Sequence, residues 1–277
     1  TKEEDVVEGL LSTNTHDNML FFTTRGRVFQ LRAYDIPQAS RTSKGQALVN
    51  FLQLAPNEKV SSVLSMDDVR KYKYLVMVTN KGTIKKTALE DFMNVRRSGL
   101  IALKLKSDDL LEWVRPSAGK DDIMLVTAEG QAIRFKESEV RPMGRAAAGV
   151  RGMRLKSNDQ IVGMDIVAPE LVNKKVLEIL VISKNGLGKR TLLSEYKVQG
   201  RGGSGIKTMS VTDKTGPIIS ARVMNNTEAK DIMLISTNGQ VVRTPLNAIS
   251  TLGRATQGVR IMRFKEDGDK VASMTLL

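Results

Sequence analysis

The segment that most resembles a chemical motif is QGRGGSG at residues 199–205, in which four glycines surround one arginine and one serine. Glycine-rich loops bind phosphates when a strand precedes them and a helix, whose N-terminus receives the phosphate, follows them. The residues that follow here, IKTMSV, have the pattern of a strand, and the chain contains no Gly-Lys-Ser or Gly-Lys-Thr sequence. The segment is therefore not predicted to bind a nucleotide.

Other residue types that support catalysis or metal binding are sparse. The chain has no cysteine and one histidine, His16, which excludes mechanisms that need a thiolate or a second histidine. The paired aspartates at 67–68, 108–109 and 121–122 fall at predicted turns, where aspartate favours turn formation. We therefore predict no catalytic residue, no metal ligand and no cofactor site in this chain.

The 277-residue chain is long enough to bury a large core. It has no apolar run of the roughly 18 residues that a membrane span requires. Its first residues, TKEEDVVEGL, lack the basic start and apolar run of a signal peptide, and they do not include an initiating methionine. We interpret the chain as part of a longer cytoplasmic protein.

The candidate functional residues belong to an internal sequence repeat, which determines where they lie in the fold. Five segments share one pattern, in which an apolar and β-branched run, a turn ending in glycine and a second run predict a β-hairpin. These turn glycines, called the first glycines, are Gly26, Gly82, Gly130, Gly186 and Gly239. A second glycine follows each of them after 17 or 19 residues, at Gly45, Gly99, Gly149, Gly205 and Gly258. The QGRGGSG segment ends on one of the second glycines, so a simple flexible linker is also disfavoured.

Each repeat continues past its second glycine into further strand-like runs such as VRGMRL and IVGMDIV. Four strands in a unit of about 40–50 residues are typical of propeller blades. The predicted fold is therefore all-β, a single domain over residues 1–277 with about five to six four-stranded blades. The predicted blades cover residues 13–67, 68–119, 120–168, 174–224 and 229–277, and residues 1–12 are interpreted as the end of a preceding or closing blade.

The positive charge is concentrated between the two glycines of each repeat. The chain has a formal net charge of +13, and these five windows hold 18 lysines and arginines against 6 acidic residues. An arginine recurs four residues before the second glycine, at Arg41, Arg145, Arg201 and Arg254. If the repeats are blades, equivalent positions form a basic belt, and many spaced cations favour a phosphate polymer as the partner.

The belt residues predicted to contact DNA are Arg32, Arg41, Lys44, Lys85, Lys86, Arg96, Arg97, Arg134, Arg141, Arg145, Lys189, Arg190, Arg201, Arg243 and Arg254. Aromatic residues make up 4% of the chain, whereas single-strand binders usually present aromatic stacking platforms, so duplex DNA is favoured. Two alternatives remain. One is a protein-interaction scaffold with acidic partners on the same belt. The other is an enzyme with a site in a central channel, for which the apolar innermost strands offer no recurring polar group.

The sequence also resembles a known family. Segments such as DDIMLVTAEGQAIRFKESEVRPMGRAAAGVRGMRL and NTHDNMLFFTTRGRVFQLRAYDIPQASRTSKG are similar to the C-terminal DNA-wrapping domain of the DNA gyrase A protein, over essentially the whole chain. The resemblance implies a β-pinwheel, a propeller-like disc whose blades exchange strands and whose basic rim wraps DNA. It also implies a part of an ATP-dependent type IIA topoisomerase that introduces negative supercoils.

The same resemblance implies partners and cofactors for the whole enzyme. The partners are the gyrase B protein and the breakage-reunion region that precedes this domain in gyrase A, and membranes are not among them. ATP and Mg are expected elsewhere in the enzyme. The family's active-site tyrosine belongs to the breakage-reunion region, so no tyrosine of this chain inherits that role.

The family's hallmark box reads Gln-Arg-Arg-Gly-Gly-Lys-Gly and lies in its first blade. The related segment lies in the fourth repeat of this chain and consists of Gln199, Gly200, Arg201, Gly202, Gly203, Ser204 and Gly205. It lacks the second-position arginine and the lysine of the box. This departure keeps open the related topoisomerase IV A protein, whose boxes are degenerate, although the similarity of the other repeats favours gyrase.

Overall fold

The computed structural model describes residues 11–39, 45–227 and 231–277. Two short helices, α1 (Met66–Val69) and α2 (Pro169–Asn173), accompany the strands. The strands, in chain order, are β1 (Asn18–Thr23), β2 (Arg27–Arg32), β3 (Val60–Ser65), β4 (Tyr74–Thr79), β5 (Thr83–Ala88), β6 (Leu100–Ile101), β7 (Leu111–Ser117), β8 (Asp122–Thr127), β9 (Gln131–Lys136), β10 (Val150–Arg151), β11 (Ile161–Val167), β12 (Leu177–Ser183), β13 (Leu187–Leu192), β14 (Ile206–Lys207), β15 (Ile218–Asn225), β16 (Asp231–Ser236), β17 (Val241–Pro245), β18 (Val259–Arg260) and β19 (Val271–Leu276).

The strands form five antiparallel sheets, one for each sequence repeat. Four sheets have four strands, in the orders β3-β1-β2-β6, β10-β5-β4-β7, β11-β8-β9-β14 and β15-β12-β13-β18. The fifth, β17-β16-β19, has three strands among the residues that the structure describes. The predicted all-β fold of repeated blades is confirmed. The proposed closing segment at residues 1–12 falls almost wholly outside the described residues.

Each hairpin centres on a first glycine, as the sequence predicts. In the third sheet, for example, β8 pairs with β9 so that Met124 lies opposite Arg134 and Asp122 opposite Lys136. The first glycine of that hairpin, Gly130, has a φ of +79°, a left-handed conformation that glycine adopts without steric cost. The alternating apolar residues of each hairpin then face the cores between sheets.

The short fourth strand of each complete sheet comes from the next repeat. Strand β6 follows the second glycine of the second repeat but pairs with β2 of the first, so that Val28 lies opposite Leu100. In the same way β10 pairs with β5, β14 with β9 and β18 with β13. Sequence repeat and sheet are therefore offset by one strand, and each sheet ties its repeat to the next one.

The second glycine makes this strand exchange possible. Gly205 has a φ of +76°, and a Cβ atom at this position would lie 2.5 Å from the carbonyl oxygen of Ala132. Gly149 has a φ of +81°, and its Cβ would lie 2.7 Å from the Ile84 oxygen. Because real Cβ atoms do not approach an oxygen so closely, any other residue would push the short strand off the neighbouring hairpin.

The described chain divides into two compact units. The first comprises residues 11–119 and 140–151 and holds the first two sheets, whereas the second comprises residues 120–139 and 152–277 and holds the other three. In the first unit, Phe22 and Phe92 are fully buried and meet edge to face, with their ring centroids 5.7 Å apart. Apolar residues that alternate along the strands surround this pair and bury it on both sides.

The core of the second unit includes a buried tyrosine. Tyr196 is 1% exposed, and its hydroxyl forms a hydrogen bond of 2.5 Å with Oγ1 of Thr208. Burial raises the pKa of this phenol to about 12, although the Thr208 hydrogen bond acts in the opposite direction. Tyr196 is therefore a packing residue with a satisfied hydroxyl rather than a stacking platform for bases.

Acidic residues hold the hairpin turns together. In the second repeat, Thr79 Oγ1 donates to Asp109 Oδ2 at 2.9 Å, and the main-chain N–H of Lys81 donates to Asp109 Oδ1 at 3.2 Å. In the fifth repeat Asp269 Oδ1 accepts hydrogen bonds from Thr237 Oγ1 at 2.7 Å and from the main-chain N–H of Asn238, the equivalent of Lys81, at 3.1 Å. These carboxylates satisfy turn donors that the hairpin itself leaves unpaired.

In the first repeat this position is taken by Glu58, which is paired with an arginine. The Glu58 side chain is fully buried and accepts hydrogen bonds from Thr23 Oγ1 at 2.5 Å, Ala55 N at 2.8 Å and Arg27 Nε at 2.9 Å. Burial alone would raise the pKa of the carboxyl, but the hydrogen bonds from Arg27, Thr23 and Ala55 lower it to about 2. The ionised carboxylate thus links the first hairpin to the loop before β3.

We predict that the first unit loses stability in acid through Glu58. Because the folded-state pKa lies below the ordinary value of 4.5, ionised Glu58 stabilises the fold above about pH 4.5. This contribution, about 2–3 kcal/mol, is lost as the pH falls towards 2. The measurement is urea unfolding between pH 2 and 6, followed by the fluorescence of Trp113, the sole tryptophan, which lies in the first unit.

The variant Glu58→Gln should unfold more easily at pH 6 and should show a flatter pH dependence than the unaltered protein. Glu90→Gln, which alters an exposed carboxylate, is the matched control and should keep the original pH dependence. Equal pH slopes for the unaltered protein and Glu58→Gln would contradict the assignment.

Candidate nucleic-acid interface

Four segments, called the basic loops, connect each hairpin to its second glycine. They are residues 89–98, 137–148, 193–204 and 246–257. Each begins with a short 3-10 turn, such as Leu89–Phe92 or Leu193–Glu195, which ends the second hairpin strand. The equivalent loop of the first repeat includes Arg41 and Lys44, and both residues lie outside the described part of the chain.

Three of the loops are anchored to the hairpin of the preceding repeat by main-chain hydrogen bonds. The anchor is the basic residue four positions after the first glycine. The N–H of Met143 donates to the Lys86 oxygen at 2.8 Å, that of Gln199 to Arg134 at 2.7 Å, and that of Leu252 to Arg190 at 2.8 Å. Since the contacts are equivalent, successive loops are presented in equivalent positions on their hairpins.

The side chains at this anchoring position are engaged within the fold. Arg134 is 7% exposed, pairs with Asp122 at 2.6 Å and donates to the Tyr196 oxygen at 3.2 Å. Arg190 is similarly paired with Glu178 at 2.8 Å and donates to the Ile249 oxygen. Such guanidinium groups join a carboxylate on the same hairpin to the loop of the next repeat, so both are engaged within the fold in this conformation, and DNA contact by Arg134 and Arg190 stays a prediction.

Two further predicted contact residues follow this pattern in part. Lys86 is 4% exposed, and its ammonium group lies 4.9 Å from the ring centroid of Tyr74. Arg243 pairs with Asp231 at 2.5 Å, but its side chain keeps 66% exposure. Of the four cations that lie four positions after a first glycine, Arg243 is therefore the one most open to an external phosphate in this conformation.

The two lysines three positions after the first glycine are buried completely. Lys85 and Lys189 are both 0% exposed, and their ammonium groups donate to carbonyl oxygens of the next basic loop. Burial lowers the pKa of each ammonium to about 8. The predicted DNA contact of these two lysines would need another conformation, because their ammonium groups are fully buried in this one.

The other predicted cations among the described residues are at least partly accessible. Arg32, Arg96, Arg97 and Arg141 are exposed, and the Arg32 guanidinium lies 5.7 Å from the Tyr34 ring centroid. The three described arginines that precede a second glycine by four residues are half-buried, namely Arg145, Arg201 and Arg254. This accessible set is what the arrangement can offer to a ligand, and its chemistry suits phosphate oxygens, which guanidinium groups bind well.

Two of these last three arginines sit beside an acidic residue of the preceding repeat. The N–H of Arg201 donates to Glu139 Oε2 at 2.7 Å, and its Nε donates to the Glu139 main-chain oxygen at 3.0 Å. The N–H of Arg254 donates to Glu195 Oε2 at 3.3 Å. Glu139 and Glu195 both lie nine residues after a first glycine, so the contact is a property of the repeat.

The QGRGGSG segment is one of these loops and has additional main-chain anchors. The N–H of Gly202 donates to the Gly152 oxygen at 2.8 Å, and the N–H of Arg154 donates to the Gly203 oxygen at 2.9 Å. Strand β14 follows the segment, as the sequence predicts, and no helix is present there. The glycines therefore serve a close main-chain contact within the fold.

Sequence reasoning missed a second group of exposed cations. They lie on the exchanged strands, two residues after the second glycine, at Arg151, Lys207 and Arg260. The recurring sequences GVR, GIK and GVR contain the signal, but these positions fall outside the windows in which charge was counted. They extend the accessible basic surface from the loops onto the short strands.

Across residues 11–39, 45–227 and 231–277, no helix is long and apolar enough to cross a membrane.

Comparison with known proteins gives a consistent result. A family described as "DNA gyrase C-terminal domain, beta-propeller" matches residues 17–65, 73–118, 121–168, 177–225 and 230–277. The DNA gyrase A protein of Staphylococcus epidermidis is 40% identical over 275 residues, 99% of this chain. The corresponding protein of Staphylococcus aureus is 39% identical over 268 residues, 96% of this chain. The chain spans 30% of the length of each of these relatives.

Two solved structures have the same architecture. The C-terminal domain of DNA topoisomerase IV superimposes with a TM-score of 0.86 at 26% identity, covering 100% of this chain and 85% of that one. A DNA gyrase A C-terminal domain superimposes with a TM-score of 0.77 at 25% identity, covering 95% of this chain and 83% of that one. Five repeats that match one family description, in order and over most of the chain, establish that this chain belongs to the DNA gyrase A C-terminal domain family.

Proposed function

We propose that this domain binds duplex DNA through phosphate contacts made by its basic loops, without base specificity, and wraps the duplex. The observation that carries the proposal is the equivalent placement of Arg145, Arg201 and Arg254. Each lies on a loop anchored to the hairpin of the preceding repeat. A ligand with regularly spaced negative charges fits such a series, and the phosphates of a duplex provide that spacing.

The division between buried and accessible cations supports this interface. The guanidinium groups of Arg134, which is buried, and Arg190, which is half-buried, are balanced by carboxylates on their own hairpins. The accessible cations lie farther along the loops and on the exchanged strands, where a partner can reach them. Contacts that neutralise phosphates release counterions, so such a surface binds DNA strongly at low salt.

Wrapping follows from contacts on several repeats at once. Smooth bending of a 20–30 bp duplex costs about 1–6 kcal/mol, and distributed phosphate contacts can offset this cost. Small residues beside the arginines, as in the glycines of QGRGGSG and the alanines of GRAAAG, let the backbone of the duplex approach the main chain. Phosphate contacts carry no base information, so binding should be insensitive to sequence.

Within a complete protein, we propose that this domain supports the ATP-dependent negative supercoiling of a gyrase in the cytoplasm. The relatives that share its repeats are gyrase A proteins. DNA cleavage and ATP hydrolysis would then be carried out elsewhere, by the breakage-reunion region and by the gyrase B protein. ATP and Mg are accordingly proposed as cofactors of those parts.

A second candidate function is that of the C-terminal domain of the topoisomerase IV A protein. The superposition with the topoisomerase IV domain and the incomplete QGRGGSG box favour it. The test uses the full-length protein with its ATPase partner on relaxed plasmid. Gain of negative supercoils with ATP supports the gyrase assignment, and its absence supports the second candidate.

We predict a steep salt dependence of duplex binding. If about six to ten phosphates are neutralised, affinity should fall by about 10³–10⁵ between about 50 and 200 mM salt. Fluorescence anisotropy with a labelled duplex of random sequence measures this, and a second duplex of different base composition should give the same curve. An affinity that is independent of salt would contradict a phosphate interface.

We predict that binding of this domain changes DNA topology. A nicked plasmid that is sealed by ligase in the presence of the domain should show a shifted linking-number distribution, because wrapped DNA keeps its writhe when the nick closes. The shift should grow with protein concentration until the plasmid is saturated. Binding without any shift would leave DNA binding intact but would rule out wrapping.

We predict that the three equivalent arginines contribute equally. Arg145→Ala, Arg201→Ala and Arg254→Ala should each weaken binding uniformly across sequences and reduce the salt slope by about one. The triple variant should lose the linking-number shift more completely than it loses binding. Lys174→Met, at the end of α2, removes an exposed charge away from the loops and serves as the control.

The contrary outcome is specific. Suppose Arg201→Ala abolished the linking-number shift while Arg145→Ala and Arg254→Ala had no effect. QGRGGSG would then be a specialised box rather than one basic loop among several.

A further inference from the structure

Lys85 and Lys189 have no part in the proposed DNA contact, yet both are charged and fully buried. They occupy the same place in the second and fourth repeats, three residues after the first glycine. Burial of an ammonium group is costly unless its donors are satisfied. Because a buried lysine destabilises a fold unless its ammonium group is hydrogen-bonded, its presence at the same position of two repeats indicates a specific role.

The acceptors of these ammonium groups lie in the basic loop of the next repeat, apart from Ala102, which follows the second glycine of the repeat that contains Lys85. Lys189 Nζ donates to the carbonyl oxygens of Gly253 and Arg254, both at 2.6 Å, and to Oγ1 of Thr256 at 3.0 Å. These three acceptors match the three N–H donors of an ammonium group. The ammonium group therefore holds one turn of the loop, residues 253–256, through three hydrogen bonds.

Lys85 makes the corresponding contacts two repeats earlier in the chain. Its Nζ donates to the carbonyl oxygen of Ala102 at 2.7 Å and also to that of Arg145. In both repeats one of the acceptors is the main-chain oxygen of the arginine that precedes the second glycine by four residues. The ammonium thus fixes the peptide group from which that arginine side chain projects.

In the other two complete repeats an uncharged side chain supports the following loop at this position. Phe29 and Ile133 occupy this position in the first and third repeats, and both are fully buried. A Cβ atom on Gly99 would lie 2.7 Å from the Phe29 ring, and one on Gly203 would lie 3.5 Å from Ile133. Apolar contact with glycine-bearing loops therefore replaces ammonium contact in those repeats.

We propose that Lys85 and Lys189 are positioning residues whose ammonium groups hold the following basic loops in the conformation that presents Arg145 and Arg254 to DNA phosphates. This inference rests on the proposed DNA-binding function. It divides the loops into two classes, those organised by an ammonium group and those, such as QGRGGSG, organised by an apolar side chain and glycines.

The protonation state of the lysines provides an independent readout. Burial lowers the pKa of Lys85 to about 8, with Asp91 acting to raise it and Arg145 to lower it. Burial does the same for Lys189, to about 8, with Glu195 and Arg254 in the corresponding roles. The nearby Tyr196 has a pKa of about 12 and stays neutral in this range. A neutral amine has two N–H donors and a lone pair, so it cannot satisfy the three acceptors of Lys189, and at Lys85 it keeps two donors for two acceptors but loses the charge that strengthens both hydrogen bonds.

Loss of the proton should loosen the loop without unfolding the protein. Because the folded-state pKa of these lysines lies below the ordinary value of 10.5, the unfolded chain binds more protons between about pH 8 and 10.5. Global stability therefore has no reason to fall in this interval on account of these groups. If DNA affinity decreases over this pH interval while the unfolding midpoint does not, the decrease reflects a change in the conformation of the loops.

The test measures duplex affinity of the domain and of Lys85→Met, which removes the charge and keeps an apolar chain of similar length. We expect Lys85→Met to bind about tenfold more weakly at about 0.1 M salt, the effect of one lost phosphate contact. The double variant Lys85→Met, Arg145→Ala should bind as weakly as Arg145→Ala alone, because both changes remove the same contact. Lys189→Met and Arg254→Ala form the equivalent cycle, and Lys174→Met is the charge control.

The pH profile completes the test. Affinity of the unaltered domain should fall between about pH 7.5 and 9, whereas the double variant Lys85→Met, Lys189→Met should show a flatter profile. If the unaltered domain binds DNA but Lys85→Met binds equally well, or if the pH profiles coincide, the positioning role is wrong. If the unaltered domain does not bind duplex DNA, the proposed function itself fails, which is a separate result.

Amide hydrogen exchange of the unaltered domain covers the case in which a methionine variant does not fold. Protection of the Ala147 and Thr256 amides, which donate to Gly144 and Gly253, should decrease between about pH 7.5 and 9 after correction for the intrinsic rate. Protection of the Gly202 amide in the QGRGGSG loop, where Ile133 stands in place of a lysine, should not. Equal behaviour of the two kinds of loop would overturn the proposal.

Discussion

Most contacts between neighbouring repeats follow from one constraint, the close approach of a second glycine to the hairpin of the preceding repeat. At Gly149, Gly205 and Gly258 a Cβ atom would lie 2.5–2.7 Å from a backbone oxygen of that hairpin. This contact lets two residues after the glycine pair as the fourth strand of the neighbouring sheet. It also brings the residues before the glycine, including the arginine four positions earlier, onto that same hairpin.

The basic windows contain cations with two different physical roles. The anchoring arginines Arg134 and Arg190 are paired with carboxylates and also donate to the loop of the next repeat, so removal of one partner would leave a buried charge uncompensated. The accessible arginines of the loops keep part of their surface in solvent, where a ligand can reach it. One sequence window therefore supplies both the support of the loop and the charge that the loop presents.

Preorganisation connects these two roles. Each anchored basic loop is held by main-chain hydrogen bonds to a hairpin and by either a buried ammonium group or an apolar side chain beneath it. A loop that is already ordered loses little conformational entropy when a phosphate binds. The glycines of QGRGGSG, which resemble a flexible segment in isolation, instead permit close and specific packing.

The repeat, the hairpins, the all-β fold and the confinement of positive charge to one part of each repeat can all be read from the amino-acid sequence. These features depend on local patterns, namely alternating apolar residues, glycine-ended turns and the spacing between two glycines. The resemblance of the repeats identified the family, and the cations on the loops before the second glycines, such as Arg141 and Arg145, were found from spacing alone.

Only the tertiary structure decided which cations face solvent. Lys85 and Lys86 lie within strand β5, and nothing in the sequence around them indicates that they are buried while Arg96 and Arg97 are exposed. Their burial arises because a loop from the next repeat covers them, a contact between residues 60 positions apart for Lys85 and Arg145. A count of charges along the chain assigns all these residues to one surface. It cannot separate them, because the pairing of a cation with a carboxylate or a carbonyl depends on strand register and on strand exchange between repeats.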